Sequence, residues 1–559
     1  FLVATATRKA HGRGAPLAIA PSSFYCDIES QLIIGDRSTS AQEEDMTVSA
    51  PQQAGIASQA SEDERHLSVV VVGAGLSGVA AAVKLEKAGI TDYLVLEKSA
   101  RVGGVWRENT YPGCGVDIPA PVYSFSFNPN PQWRSNFALQ PELLSYIEKT
   151  VDKFGVRSKI SMHTELIEAA WSEDRRRWVL DTTQGTMVAQ HVIFAAGPIT
   201  EPKTPELPGI DGFAGEIFHS ARWNHDVDLT GKRVAVVGTG ASAVQFIPEI
   251  QPDVAQLYVF QRTPAWVVPR LDFPFPRMAQ WVFGRVPAVQ QAFRHVLDVV
   301  LRTLTLAMRR ERTARLLNPI GTRWLAAQVP DPELRASLTP DFTLGCKRLL
   351  LSNTYLPALT KPGVQLIPHA LVAVDGQSVV AADGTRREVD VIIFGTGFDV
   401  SHPPIASRIR GRDGRLLSEK WAKSPEAYLA TTTPGAPNAY IMLGPNILVY
   451  NSFLGLAETQ LDYVIDGLTK AEQQNIEVLE VREEPFRAFN DAVQKGLAPT
   501  VFNNGGCSSY YLDADGKNFA AWPWSTGSLR RRLARFDLEN YAVRPYRHSS
   551  SAHSTGKSS

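Results

Sequence analysis

Three features of this 559-residue chain predict an α/β fold made of two Rossmann-like dinucleotide-binding units, the second inserted into the first and carrying a helical insertion. Two glycine-rich turns, Gly73-Ala74-Gly75-Leu76-Ser77-Gly78 and Gly238-Thr239-Gly240-Ala241-Ser242-Ala243, each follow a β-branched apolar run and precede small, helix-forming residues. A third apolar run, 389–394, stops at Gly395-Thr396-Gly397 and returns the chain to a sheet. The expected division is 65–200 and 388–545 for the interrupted unit and 201–387 for the inserted one, with helices over about 272–338.

The first unit opens with a strand over 67–72. Gly73 permits the tight turn, Gly75 lets the backbone approach a pyrophosphate, and Gly78 allows the helix to pack closely on the strand. The helix N-terminus then offers unpaired N–H groups to the phosphates. A second strand, 92–96, ends at Glu97, a carboxylate placed for ribose hydroxyls. Another glycine pair, Gly103-Gly104, precedes Trp106 and predicts a further loop over the same nucleotide, with Tyr123 in the same site. Asn109, Tyr111-Pro112-Gly113 and Asp117 follow; on spacing alone Asp117 reads as a surface turn. A helix is expected over 140–155 and short strands over 158–194, with turns at Asp174-Arg175 and Gln184-Gly185. The proline-rich stretch 201–208 marks the crossing between units.

In the second turn Ala243 stands for the third glycine. The strand 257–260 then ends at Gln261-Arg262-Thr263 rather than at an acid. A carboxylate there would repel a 2′-phosphate, whereas Arg262 can pair with one bidentately and Thr263 can donate to it. The expected cofactors are therefore NADPH at the second turn and FAD at the first. Within the insertion, Phe293, Val296, Leu297, Val300, Leu301 and Leu304 recur at helical spacing opposite Arg294, Asp298 and Arg302. The simpler expectation is an apolar face buried against the NADPH unit; a membrane-surface or partner-binding face is the alternative. Lys347-Arg348 follows Gly345-Cys346, hairpin turns are expected at Asp375-Gly376 and Asp383-Gly384, and a helix over 458–471.

Composition excludes several classes. Lysine plus arginine equals aspartate plus glutamate, 57 each, so no global field favours nucleic acid. No uninterrupted apolar stretch is long enough to span a membrane. Cys26, Cys114, Cys346 and Cys507 lie far apart without a CxxC pair. That pattern signals no metal site and no dithiol centre, and suits single thiols in a reducing, cytoplasmic setting. Residues 1–64, in which Met46 is a candidate start, read as a disordered leader with a weak likeness to a transit peptide, and 546–559 as a disordered tail.

Between the two turns lies Phe213-Ala214-Gly215-Glu216-Ile217-Phe218-His219-Ser220-Ala221-Arg222-Trp223. Phe213, Gly215, His219 and Trp223 match FxGxxxHxxxW, the fingerprint of the type I Baeyer–Villiger monooxygenases, a family of flavin-dependent monooxygenases that the chain resembles over about 67–545. The likeness extends to Gly103-Gly104, Trp106, Tyr111-Pro112-Gly113 and Asp117, to Lys347-Arg348 and to Gly395-Thr396-Gly397. It implies insertion of one oxygen atom from O2 beside a ketone carbonyl through a C4a-peroxyflavin. It also implies that Arg348 acts over the flavin, that Asp117 orients it, and that Lys347 joins Arg262 and Thr263 at the NADPH phosphate. The fingerprint segment is then a coupling hinge, with His219 not a proton-transfer base. Oxygenation of nitrogen or sulfur, or a flavin reductase or oxidase, are the alternatives. Three positions depart from the family pattern: Asn224 after the fingerprint Trp, Gly395 for Ala, and Tyr510 for Trp. Substrate contacts are expected from 122–127, 446–454 and the Tyr510 loop; apolar Ile447-Leu448-Val449-Tyr450 and Phe453-Leu454 favour a hydrophobic ketone. The sequence leaves the particular ketone and the oligomeric state open, a monomer being plausible.

Overall fold

The computed structural model describes residues 64–448 and 451–547. The expected leader before Glu64, the tail beyond Arg547, and Val449 and Tyr450 lie outside the described residues.

The first sheet has eight strands, centred on parallel Gly185–Phe194, Arg65–Val72 and Tyr93–Leu96. Strand periodicity sends Val69 and Val71 into one core and Val70 and Val72 into another. Both faces are therefore apolar, which is why the run shows no polar alternation. The first core holds the helices Leu76–Lys87 and Phe453–Gln473. The second takes Trp171 and Trp178 from the antiparallel ribbon Leu166–Ser172 and Arg177–Thr182, whose turns fall where Asp174-Arg175 and Gln184-Gly185 placed them.

The second sheet is five parallel strands in the order Val364–Ile367, Gln256–Phe260, Arg233–Val237, Val391–Phe394, Glu216–His219. This corrects the expected boundary at 388. The 391–394 strand belongs to the inserted sheet, and the first sheet resumes at Ile409–Arg410 and Ala439–Ile441. The physical reason is that each glycine turn is closed by a strand end from its own sheet. A Cβ on Gly73 (φ +102°) would stand 2.8 Å from the Ala195 carbonyl oxygen, and one on Gly238 (φ +104°) 2.6 Å from that of Gly395. Neither turn accepts a side chain, so the inserted unit needs the 391–394 strand as the first needs 185–194.

The insertion folds as the helices Arg277–Arg285, Pro287–Arg309, Glu311–Arg315, Asn318–Gln328 and Pro332–Ser337. Its long helix is rotated about its axis from expectation, so that only half of the expected apolar face is inside. Val296, Val300 and Leu304 are exposed, whereas Asp298 is buried and Arg294 and Arg302 are half-buried. Phe293, Leu297 and Leu301 pack on the large core. The charges turn inward because they have partners there: Arg294 donates to the carbonyls of Ser124 and Phe125, and Asp298 accepts from Asn451 and pairs with Arg302. Among the described residues no helix is long and apolar enough to cross a membrane.

Candidate active site

The first cradle is built at the end of the Arg65–Val72 strand. A Cβ on Gly78 would lie 1.8 Å from the Gly73 carbonyl oxygen, so helix and turn are in backbone contact. Gly104 (φ +54°) faces Gly75 so closely that its Cβ would stand 2.9 Å from the Gly75 Cα. These two bare backbones leave a groove that any side chain would fill, as a pyrophosphate site requires. Glu97 is buried and accepts from the Ala74 and Ser99 N–H groups at 2.9 and 3.0 Å and from Arg107 Nη1 at 3.1 Å. Arg107 was not legible as a site residue, since in sequence it reads as one more helix charge. The Trp106 Nε1–H donates to the Tyr123 hydroxyl at 3.1 Å, and burial pushes that hydroxyl up to about 12. The residues present thus fit a flavin dinucleotide.

The second cradle repeats the design with Gly238 and Gly240 leading into the helix Ala243–Ile250. Arg262 is exposed and Thr263 half-buried at the end of the Gln256–Phe260 strand. Lys347 stands near enough to Arg262 that burial first, and then the guanidinium's charge, lower its ammonium pKa, with Asp341 acting against them. Two converging cations suit a dianionic 2′-phosphate.

The two cradles meet at Arg348 and Asp117, 231 positions apart in sequence. Arg348 donates through Nε at 2.6 Å and Nη2 at 2.7 Å to the two oxygens of the Asp117 carboxylate. Burial opposes both charges, but each outweighs it for the other: Asp117 is held below the usual carboxylate range and Arg348 above its own. Arg270 adds to the field on Asp117, and Phe453 lies 6.0 Å from the Arg348 guanidinium. Tyr510, half exposed, and buried Tyr511 stand close enough to influence Arg348. Arg270 and Phe453 were not found from sequence, because neither sits in a motif.

Cysteine spacing misled. Cys346, two residues before Arg348, is disulfide-bonded to Cys507, so two of the four expected thiols are paired. A separation of 161 residues hides such a pair from spacing rules. The bond fastens the 500–511 segment beside Lys347-Arg348, where the Thr343 N–H also donates to the Gly505 carbonyl. Cys114 is free and buried, its thiol pushed up to about 12.

The fingerprint forms the edge strand Glu216–His219 and the turn after it. Gly215 is required because a Cβ would meet the Asp390 carbonyl oxygen at 2.2 Å and the Phe213 ring at 2.6 Å. His219 Nδ1 accepts from the Ala221 N–H at 3.0 Å, its ring faces Phe398, and burial pushes it down to about 4. Buried Nε2 meets no acceptor at bonding geometry, though the Gly397 backbone lies near enough to act partly against that shift. Trp223 packs against Phe218 and Phe246, and Phe246 against Tyr111. Gln245, beside Phe246, accepts from the Tyr111 hydroxyl and exchanges hydrogen bonds with the Gly115 backbone, two residues from Asp117. A continuous contact path therefore runs from the fingerprint to the Asp117–Arg348 pair. Asn224 accepts from the Asp226 N–H and closes a local turn.

Two dinucleotide cradles joined by a guanidinium–carboxylate pair define an α/β oxidoreductase that couples two nucleotide cofactors. The model of flavin-binding monooxygenase-like proteins matches residues 66–415. The chain is 44% identical over 484 residues to a Baeyer-Villiger monooxygenase of Streptomyces coelicolor, across 86% of this chain and 93% of that protein. It is 42% identical over 481 residues to a Baeyer-Villiger monooxygenase of Pseudomonas aeruginosa, across 85% and 91%. Cyclohexanone monooxygenase from Rhodococcus sp. Phi1 bound to NADP+ aligns with a TM-score of 0.77 at 27% identity, over 86% of this chain and 100% of that one. This chain belongs to the Baeyer–Villiger monooxygenases of the flavin-binding monooxygenase-like family.

Proposed function

We propose that the protein uses FAD, NADPH and O2 to convert an apolar ketone into an ester or lactone, with NADP+ and water as the other products. The Arg348–Asp117 pair carries this reading. FAD, when bound, takes reducing equivalents from NADPH and passes one oxygen atom of O2 to the substrate.

Each remaining role falls to a residue of this chain. Gly73, Gly75, Gly78 and Gly104 hold the flavin pyrophosphate, Glu97 the ribose, and Trp106 and Tyr123 the wall of the site. Gly238, Gly240 and Ala243 hold the NADPH pyrophosphate; Arg262, Thr263 and Lys347 hold its 2′-phosphate. Asp117 occupies the Nε–Nη2 edge of Arg348 and so fixes the guanidinium's orientation, leaving its Nη1 edge to meet a reacting oxygen. A guanidinium keeps its charge throughout and stabilises negative charge developing on the attacked carbonyl oxygen. Phe213, Gly215, His219 and Trp223 transmit the fit of one nucleotide unit to the other. The FAD-binding unit is 65–200 with 409–545, and the NADPH-binding unit is the stretch between.

The test is to supply the purified protein with FAD, NADPH and a panel of cyclic, aromatic, long-chain and steroid ketones and to identify products by mass spectrometry. Ester or lactone is expected, with Arg348→Ala binding flavin normally yet forming no ester. Oxygenated amines or thioethers without any ester would overturn the carbonyl reading.

A further inference from the structure

More than half of the large apolar side chains that the described residues leave exposed lie between Met278 and Ile320. They are not scattered. On the helix Pro287–Arg309, the positions facing solvent include Val289, Ala292, Val296, Val299, Val300 and Leu306. At 100° per residue these fall on one stripe, roughly 25 Å long, that carries no charge. The inner face of the helix thus combines Phe293, Leu297 and Leu301 with the charged Arg294, Asp298 and Arg302, and a second, uncharged apolar stripe faces out. Met278 and Trp281 on the preceding helix, Leu316 after the helix Glu311–Arg315, and Ile320 on the next helix add exposed apolar side chains in the same segment.

The same segment is strongly basic. Residues 277–323 contain nine arginines and no lysine, against only Asp298 and Glu311, in a chain whose formal net charge is zero. Arg277, Arg285, Arg310, Arg312, Arg315 and Arg323 are exposed. An uncharged apolar stripe flanked by arginines is what an interface-lying helix presents to a bilayer. A second copy of this face would bring the same positive charge against itself, which disfavours a symmetric dimer through it.

We propose that the Arg277–Gln328 helices dock the protein onto an anionic phospholipid surface, the Val289–Leu306 stripe entering the acyl boundary and the arginines meeting lipid phosphates. The inner face of the same helix reaches the site segments: Arg294 holds Ser124 and Phe125, and Met308 lies against Gly345, three residues before Arg348. Docking therefore sets one wall of the active-site region directly above the membrane surface, where apolar ketones concentrate.

The test is flotation of the full-length FAD-loaded protein with phosphatidylglycerol–phosphatidylcholine vesicles and with phosphatidylcholine vesicles. Binding should be about tenfold stronger to the anionic vesicles at low salt, and should weaken in high salt. Val296→Asp with Val300→Asp should remove it, while leaving NADPH oxidation in vesicle-free buffer unchanged, because both side chains are already in solvent. Absence of binding to anionic vesicles, or equal binding by the double variant, overturns the proposal. A concentration-dependent dimer in light scattering that the double variant abolishes would assign the face to a second copy and overturn it as well.

Discussion

Ala243 and Gly395 form one packing pair. A Cβ built on Gly395 would stand 3.3 Å from the Ala243 methyl, closer than such groups settle without movement. The first turn differs: a Cβ on Gly78 would be stopped by the Gly73 carbonyl oxygen at 1.8 Å, while the Ala195 methyl at 3.8 Å is an ordinary contact. In the second unit the Ala243 methyl occupies the space that a side chain at 395 would need, so the residues at 243 and 395 are coupled. Gly395→Ala should cost about 1–3 kcal/mol of stability and weaken NADPH binding. Adding Ala243→Gly should recover most of both, and melting temperatures with NADPH titrations will read it. A double variant no better than the single one would separate the two positions.

Asp117 positions Arg348, so its removal should cost turnover rather than flavin. Asp117→Ala is expected to lower ester formation by about 10²–10³-fold with the flavin spectrum retained. Asp117→Asn, which keeps the shape and loses the charge, should fall between. The acid side follows from the direction of the shift. A carboxyl held below its ordinary range contributes stability present above about pH 4 and lost as pH falls through the lower folded value. Activity between about pH 5 and 8 should therefore show no titration of Asp117.

The cation pair at the second cradle predicts cofactor choice. Arg262→Ala should raise KM for NADPH about tenfold to a hundredfold and leave KM for NADH nearly unchanged, narrowing the preference. Lys347→Ala should act in the same direction but more weakly, because an ammonium is a point charge and not a fork. Equal losses with both nucleotides would remove the 2′-phosphate from the argument.

The parts legible in the sequence are those where backbone conformation dictates residue type. Gly73, Gly78 and Gly238 had to be glycine to meet a carbonyl, and β-branched runs had to be strands buried on both faces, so both cradles were readable. Asp117 and Arg348 were reached only through family likeness, since 231 positions separate them and neither spacing nor propensity links such distant residues. The Cys346–Cys507 bond was missed for the same reason. The insertion failed differently. Its helical period was correct, but a period does not say which face is inside when charged side chains find buried partners, as Arg294 and Asp298 do. The 391–394 strand was assigned to the wrong sheet because strand pairing is decided by the Gly238–Gly395 contact and not by the strand's own composition.

Two buried histidines contribute to the pH response of the fold. Burial pushes His219 down to about 4 and His191 down to about 3. Both are neutral in the folded chain at neutral pH, whereas unfolded histidine titrates near 6.5. A folded value below the unfolded one gives stability that is present above about pH 6.5 and lost as pH falls toward the folded value, because the unfolded chain takes up the protons first. The melting temperature should drop between about pH 6.5 and 4, and His219→Gln should flatten part of that drop. No step from His219 should appear in the turnover profile above about pH 5.5, since the ring stays neutral throughout that range. A kinetic step near pH 6.5 that vanishes in His219→Gln would make it a proton-transfer group after all.

Cys346–Cys507 ties the Tyr510 segment to the residue two before Arg348, and opening it frees a loop of 161 residues. Closing a loop of that size is worth about 5 kcal/mol in chain entropy, of which about 2–4 kcal/mol is typically realised, so Cys507→Ser should lower the melting temperature measurably. Dithiothreitol should do the same to the parent and nothing further to the variant. Because Thr343 and Gly505 remain hydrogen-bonded, the segment should loosen rather than detach. Turnover should then fall through a higher ketone KM, with NADPH affinity held by Arg262 and Lys347 largely kept. Alkylation of the protein trapped in intact cells reads which state prevails there. Cys346 and Cys507 escaping alkylation would mean the bond is closed in the cell and would count against the reducing setting that cysteine spacing suggested; both alkylated would mean the loop works open.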